Sequence, residues 1–166
     1  MAEERIIYTD PNDGGLRIIT PAYQDGARPR GDTDEALINR VIAQSIPVGT
    51  TYRIVSVDAY SAEVTAAGER TFRGAWEDTD GAVQVNMTRA RVIHMDRIRV
   101  VRNAELVAKD ITFMRAVEAG DASAQSTIGT EKQVLRDIPA TFDITTGVST
   151  PAALHAKWPT ELPARE

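Results

Sequence analysis

His94 and His155 are the only imidazoles in the chain, and there is no cysteine. Metal or acid–base chemistry would need a second ligand at short spacing, as in H-E-x-x-H, and neither histidine has one beside it. Both are therefore expected to be exposed or helix-packed structural residues. The serines lack the G-x-S-x-G context that exposes a nucleophile on a sharp turn. The acidic turns DPNDGG and DTDG offer oxygen atoms of the kind that hold calcium. They lack the D-x-[DN]-x-[DN]-G spacing and the glutamate at the twelfth position, so both are read as hairpin turns. Without cysteine, disulfides and thiolate metal sites are excluded. No catalytic residue, metal-ligand set or cofactor-binding residue is expected.

Arg89, Arg91, Arg97, Arg99 and Arg102 form the richest cluster, and a basic helix could lie along phosphates. At ~100° per residue, however, only Arg91, Arg99 and Arg102 share a face. Asp96 and Glu105 lie among them, no aromatic side chain interleaves, and the net charge is −5. That balance argues against a nucleic-acid partner and for a solvated or salt-bridged helix face.

These residues lie in the stretch Asn86 to Gly120, which contains no proline and whose only glycine closes it. Asn86 can cap its first turn and Gly120 suits a left-handed end, so the stretch predicts one long helix. Ile93, Val100, Val107 and Met114 recur every seven residues. Ala90, Ala104 and Ile111 occupy the complementary heptad positions, and Arg97 and Glu118 break that series. This is a coiled-coil-like seam. The expected interaction residues are Ile93, Arg97, Val100, Ala104, Val107, Ile111 and Met114. Arg97 would pair with a carboxylate across a subunit contact. The β-branched residues at one heptad position favour parallel assembly of few strands, and a homo-oligomer is expected.

A second helix is predicted over roughly residues 122–137, capped by Asp121, with Ala124, Ile128, Leu135 and Ile138 on one side. The short connection predicts an antiparallel hairpin that gives the seam a partner. The second helix is only about half as long as the first. The stretch from Ile93 to Val101 should then pack on the rest of the chain or on another subunit. A third short helix is expected near the end, with Thr150 as cap, Pro151 in the first turn and Pro159 as stop. Leu154 and Trp158, one turn apart there, should clamp the hairpin end.

Ahead of the long helix, residues 5–9 and 16–20 read as paired strands, with Gly14 and Gly15 free to take positive φ. Residues 21–31 read as a loop. A helix should start near Asp32, where Asp32 and Glu35 have capping-box spacing, and end at Pro47. Residues 51–57 read as a strand and 58–70 as a short helical turn. RTFRGAWED and GAVQVN flank a second hairpin turn, and Phe72 and Trp76 are expected in the core. The class is α+β: a small antiparallel sheet with a helix over residues 1–86, then a long helix and a C-terminal helical hairpin over 87–166. The N-terminal MAEERIIYTD has no apolar stretch and predicts no signal peptide, and no apolar run approaches the ~20 residues of a membrane span.

The segment RTFRGAWEDTDGAVQVNMTRARVIHMDRIR resembles a pattern of tailed-bacteriophage accessory proteins, in which R-T-F-R-x-A-W leads through a hairpin into an arginine-rich helix. FMRAVEAGD and EKQVLRDIP continue the resemblance, and KQVLRDIP with WPTELP is similar to the C-terminal region of tail-fibre assembly proteins. Together these phrases cover roughly residues 70–163. The resemblance implies a non-enzymatic structural protein of the tail or tail-fibre apparatus, acting as a docking or oligomerisation module. Other phage tail or fibre proteins would be its partners. It would be made in the host cytoplasm and retained in the virion tail. A fibre-assembly chaperone absent from the finished particle is one alternative, and a small nucleic-acid-binding regulator is another.

Overall fold

The apolar run near the N-terminus becomes β1, Glu4–Thr9, in a computed structural model that describes residues 3–23, 29, 32–68 and 70–165. β1 is the central strand of a three-stranded antiparallel sheet. β2, Leu16–Ile19, pairs along one edge with Ile7 opposite Ile18. β3, Tyr52–Ser56, pairs along the other with Ile7 opposite Arg53. Both faces of β1 are covered, which is why RIIYT reads as a continuous apolar run rather than an alternation. On one face Ile6 and Tyr8 pack with Ile38 and Ile46, from helix α1, Asp34–Ser45, and its C-cap. On the other, Ile7 packs with Ala67, Trp76 and Val83.

Two expected helix starts differ. α1 is capped by Thr33, whose Oγ1 accepts a bond from the Ala36 N–H at 3.1 Å. Asp32, expected to open a capping box with Glu35, pairs instead with Arg40. The guanidinium outcompetes the backbone amide for that carboxylate, and the helix begins later. In place of a short turn after residue 57, ten residues form helix α2, Val57–Ala66. Its residues are poor in apolar periodicity. Ser56 caps it through the Ala59 N–H, and Tyr60 and Val64 pack against the Ile7 cluster. Tertiary anchoring thus sustains a helix that its composition alone would not. The expected loop over 21–31 lies largely outside the described residues.

A second hairpin pairs β4, Trp76–Thr79, with β5, Ala82–Val85. Asp80 and Gly81 both have positive φ, at 55° and 75°. That is the turn geometry whose twist matches the flanking strands, and Asp-Gly favours it. Arg53 ties this hairpin to the sheet. Its Nε donates to both oxygens of Asp78, at 3.0 and 2.9 Å, and its Nη1 and Nη2 donate to Glu63 at 2.9 and 2.6 Å. Glu63 also accepts from the Val83 N–H at 2.9 Å. Hydrogen bonding to Arg53 holds the Glu63 carboxyl below its ordinary pKa.

The chain forms two compact units, Met1–Ala90 and Arg91–Glu166, and helix α3 spans Met87–Glu118. α3 starts as expected, with Asn86 Oδ1 accepting from the Arg89 N–H at 3.0 Å. It ends at Gly120, φ 68°, where the Asp121 and Gly120 N–H groups bond back to Ala116 and Val117. Only glycine takes that backbone readily. α4, Ala122–Thr141, is capped by Asp121 and runs past the expected end, with Pro139 in its last turn. α5, Pro151–Ala156, has Thr150 as cap and Pro151 in its first turn.

The seam meets a different fate from the one expected. α4 does not pack along it. The core of the second unit joins Met95 and Ile98 of α3 to Leu135 and Ile138 of α4 and to Leu162, with Val101, Leu106 and Trp158 partly buried against it. At ~100° per residue, Met95, Ile98 and Leu106 lie on the side of α3 opposite Val100 and Val107. α3 therefore carries two apolar stripes, and a search for one stripe finds only one of them.

Arg53→Ala should lower the stability of the first unit by about 2 kcal/mol, because two carboxylates lose their shared donor. Arg53→Lys should recover less than half of that, since one ammonium cannot serve four oxygens. Urea unfolding in a Trp158→Phe background, which leaves Trp76 as the only tryptophan, measures this. A lysine variant as stable as the parent would reduce the clamp to simple charge.

Candidate functional site

The second face of α3 is the most distinctive surface of the chain. Val100, Val107, Ile111 and Met114 are 70, 61, 53 and 56% exposed, far above what apolar side chains show in a core. They fall within ~60° of one another around the helix axis, so they form one continuous row rather than scattered contacts. Arg97 and Ala104 are also exposed and lie on the same side, while Ile93 is half-buried at the end of the row. Ala90, the next residue of the series, is fully buried and does not belong to the surface. Six of the seven interaction residues read from the heptad are thus exposed together. An apolar row of this kind usually marks a contact site.

Its borders are polar. Asp96 accepts from Arg99 at 2.7 Å, and Asp110 pairs with Lys132 of α4. Lys132 also lies over the Phe113 ring, 5.1 Å from its centroid. A second link between the helices joins Lys109 to Glu131. The Asp110–Lys132 and Lys109–Glu131 pairs hold α3 against α4 and leave the row bare.

His94 is fully buried rather than surface-lying. Its Nε2 is 2.7 Å from the Lys157 carbonyl oxygen, and because a carbonyl can only accept, this nitrogen carries the proton. The Trp158 ring meets it edge to face, with centroids 6.1 Å apart. Burial pushes the His94 pKa down, the carbonyl bond opposes this, and the positive charges of Arg165 and Arg97 push it down further. A neutral histidine held by packing and by a main-chain carbonyl follows. His155 is exposed, and its pKa is lowered by desolvation, Arg165 and Arg97.

The arginines do not form a basic strip. Arg89 donates to the Gly14 carbonyl at 3.1 Å and Arg91 to the Val148 carbonyl at 3.1 Å. Arg99 is engaged by Asp96, and Arg102 is half-buried. A grouping that the sequence does not suggest lies in the first unit, where Arg17, Arg73 and Arg89 line an open depression of about 700 Å³. Arg17 is held there by Asp13 and Asp10, and Arg73 lies over the Trp76 ring. These contacts brace the first hairpin turn, where Asp10 and Asp13 accept from the Asn12 and Gly15 backbone N–H groups. DPNDGG is a turn closed by its own side chains. Among the described residues no group of three or more histidine, aspartate or glutamate side chains is placed to hold a metal ion. Nor, among them, is any helix long and apolar enough to cross a membrane.

The chain matches no protein-family model, no curated protein and no solved structure.

The buried His94 makes stability depend on pH. Its folded pKa lies below the ordinary 6.5, so the unfolded chain binds the proton more readily. The stabilisation is complete above about pH 6.5 and is lost as pH falls through the lower folded value. His155 adds in the same direction. Thermal unfolding followed at Trp158 in a Trp76→Phe background should show a falling midpoint between pH 7.5 and 5. In His94→Gln the curve should be flatter over that range, though lower throughout. An equally steep curve in the variant would assign the effect elsewhere.

Proposed function

We propose that this chain is a non-enzymatic structural protein of a bacteriophage tail or tail-fibre apparatus, in which the long helix serves as a docking and self-association element. The observation that carries this reading is the exposed row on α3, from Arg97 through Val100, Ala104, Val107 and Ile111 to Met114. It lies within the segment whose wording is similar to phage accessory proteins. A bare apolar row on a helix held rigidly along its other side suits assembly, since little conformational entropy is lost when a partner covers it. The titratable groups near it are engaged structurally: His94 by a main-chain carbonyl, Arg99 by Asp96 and Asp110 by Lys132. The partners on this reading are a second copy of the chain and other tail or fibre proteins, and the location is the virion.

Mass spectrometry of purified particles tests the location. The protein should be present at a fixed ratio to the tail proteins. Its absence from finished particles, together with misfolded fibres when it is deleted, would replace this reading with that of an assembly chaperone. Sedimentation of the purified chain at micromolar concentration tests the docking surface. The wild type should associate. Val100→Asp, which puts a carboxylate into the contact, should weaken association by about 3 kcal/mol, or roughly a hundredfold. Identical monomers for both proteins would remove the seam as a self-association surface.

A further inference from the structure

β2 is an edge of the three-stranded sheet and has a neighbouring strand on one side only. Asp10 donates its N–H to the Gly15 carbonyl, so Gly15 bonds toward β1. Bonding alternates along an antiparallel pair, so Arg17, opposite Tyr8, and Ile19, opposite Ile6, bond inward as well. Leu16 and Ile18 therefore turn their N–H and C=O groups outward. Among the described residues, no bond from outside the sheet reaches those groups.

The open depression of about 700 Å³ lies along this edge. Consecutive residues 15–19 line it, whereas a depression on one face of the sheet would meet alternate residues. Tyr8 and Ser45 border it on the face that carries α1. Arg73 and Gly74 border it on the face that carries Trp76. The depression thus wraps the rim of the sheet, where a further strand would lie.

Charge selects what can enter. Arg17 is already held by Asp10 and Asp13. Arg73 lies over the Trp76 ring and Arg89 donates to the Gly14 carbonyl, and neither meets a carboxylate among the described residues. Both side chains are exposed. Set against the two aspartates, the three arginines leave this rim positive.

We propose that β2 receives an extended acidic segment of a partner protein as a further strand. Leu16 and Ile18 supply the main-chain bonds, and Arg73 and Arg89 meet the segment's carboxylates. Strand addition draws affinity from main-chain bonds and specificity from the side chains along the groove. A strand serves both the outward N–H groups and the outward carbonyls, whereas a phosphate has nothing to donate to a carbonyl. A second copy of β2 fits poorly, because edge pairing would gather Arg73 and Arg89 of both copies at one rim. The site lies in the first unit and does not depend on what covers the row on α3.

The probe is a capped peptide of alternating glutamate and valine, about eight residues long, titrated into the full chain and followed at backbone amides by NMR. In the free protein the Leu16 and Ile18 amides should exchange with solvent faster than those of Arg17 and Ile19. Saturating peptide should slow their exchange at least tenfold. A lysine–valine peptide should bind at least tenfold more weakly. So should a glutamate–proline peptide, which keeps the charge but cannot complete a ladder. Arg73→Glu with Arg89→Glu should reverse the preference between the acidic and basic peptides. If that variant loses its dispersed amide spectrum, Arg73→Gln takes its place and should weaken the acidic peptide at least threefold. An unchanged preference or affinity in a folded variant would overturn the charge pairing. Equal binding of the glutamate–proline peptide, or equally tight binding of an oligonucleotide, would make the rim a simple anion site and overturn strand addition. Saturation that leaves Leu16 and Ile18 exchanging freely would overturn it too, as would no binding at millimolar peptide.

Discussion

A helix of 32 residues beside one of 20 cannot be covered by it, either in length or in circumference, and much of the second unit follows from that mismatch. α3 turns one side toward α4 and the tail, where Met95, Ile98 and Leu106 find Leu135, Ile138 and Leu162. The opposite side keeps apolar residues that nothing in the second unit covers. A helix that were merely a scaffold would carry charge there. Retaining valine, isoleucine and methionine at those positions lowers solubility unless they are buried on assembly.

The first unit solves a different problem. Two small sheets, of three strands and of two, would each be marginal alone. β1 is buried on both faces, and the second hairpin supplies Trp76 and Val83 to one of them. Arg53 then joins β3, α2 and β4 through two carboxylates. Each carboxylate also narrows the register, because a shift of one residue in the second hairpin would move Asp78 or Val83 away from its partner.

Much of this was legible from local signals. Asn86, Asp121, Thr150 and Gly120 fix helix ends through bonds made within a few residues, and sequence reading finds such bonds. The heptad located the exposed row for the same reason, since a helix face is a local property. What escaped was set by distant residues. Arg40 took Asp32 from its expected cap. Glu63 and Asp78 met at Arg53 from 10 and 25 residues away. The face of α3 chosen by α4 depended on the tail, which contributes Leu162 and the Lys157 carbonyl. Nothing in the heptad could register that choice.

The tail itself is held in an unusual manner. Arg91 donates to the carbonyl of Val148, His94 to that of Lys157, Trp158 to that of Pro163, and Arg165 to that of His155. All four acceptors are main-chain oxygens, which every residue possesses. The hydrogen bonds that place residues 148–163 therefore depend on four donor side chains, while Val148, Leu154 and Leu162 are buried and anchor the segment by packing; the exposed side chain of His155 carries neither duty. Such a segment can change its exposed positions without losing its path across the helices, provided its buried residues are kept. A protein that must keep its own fold while adapting to a changing neighbour would find such freedom useful at its C-terminal surface.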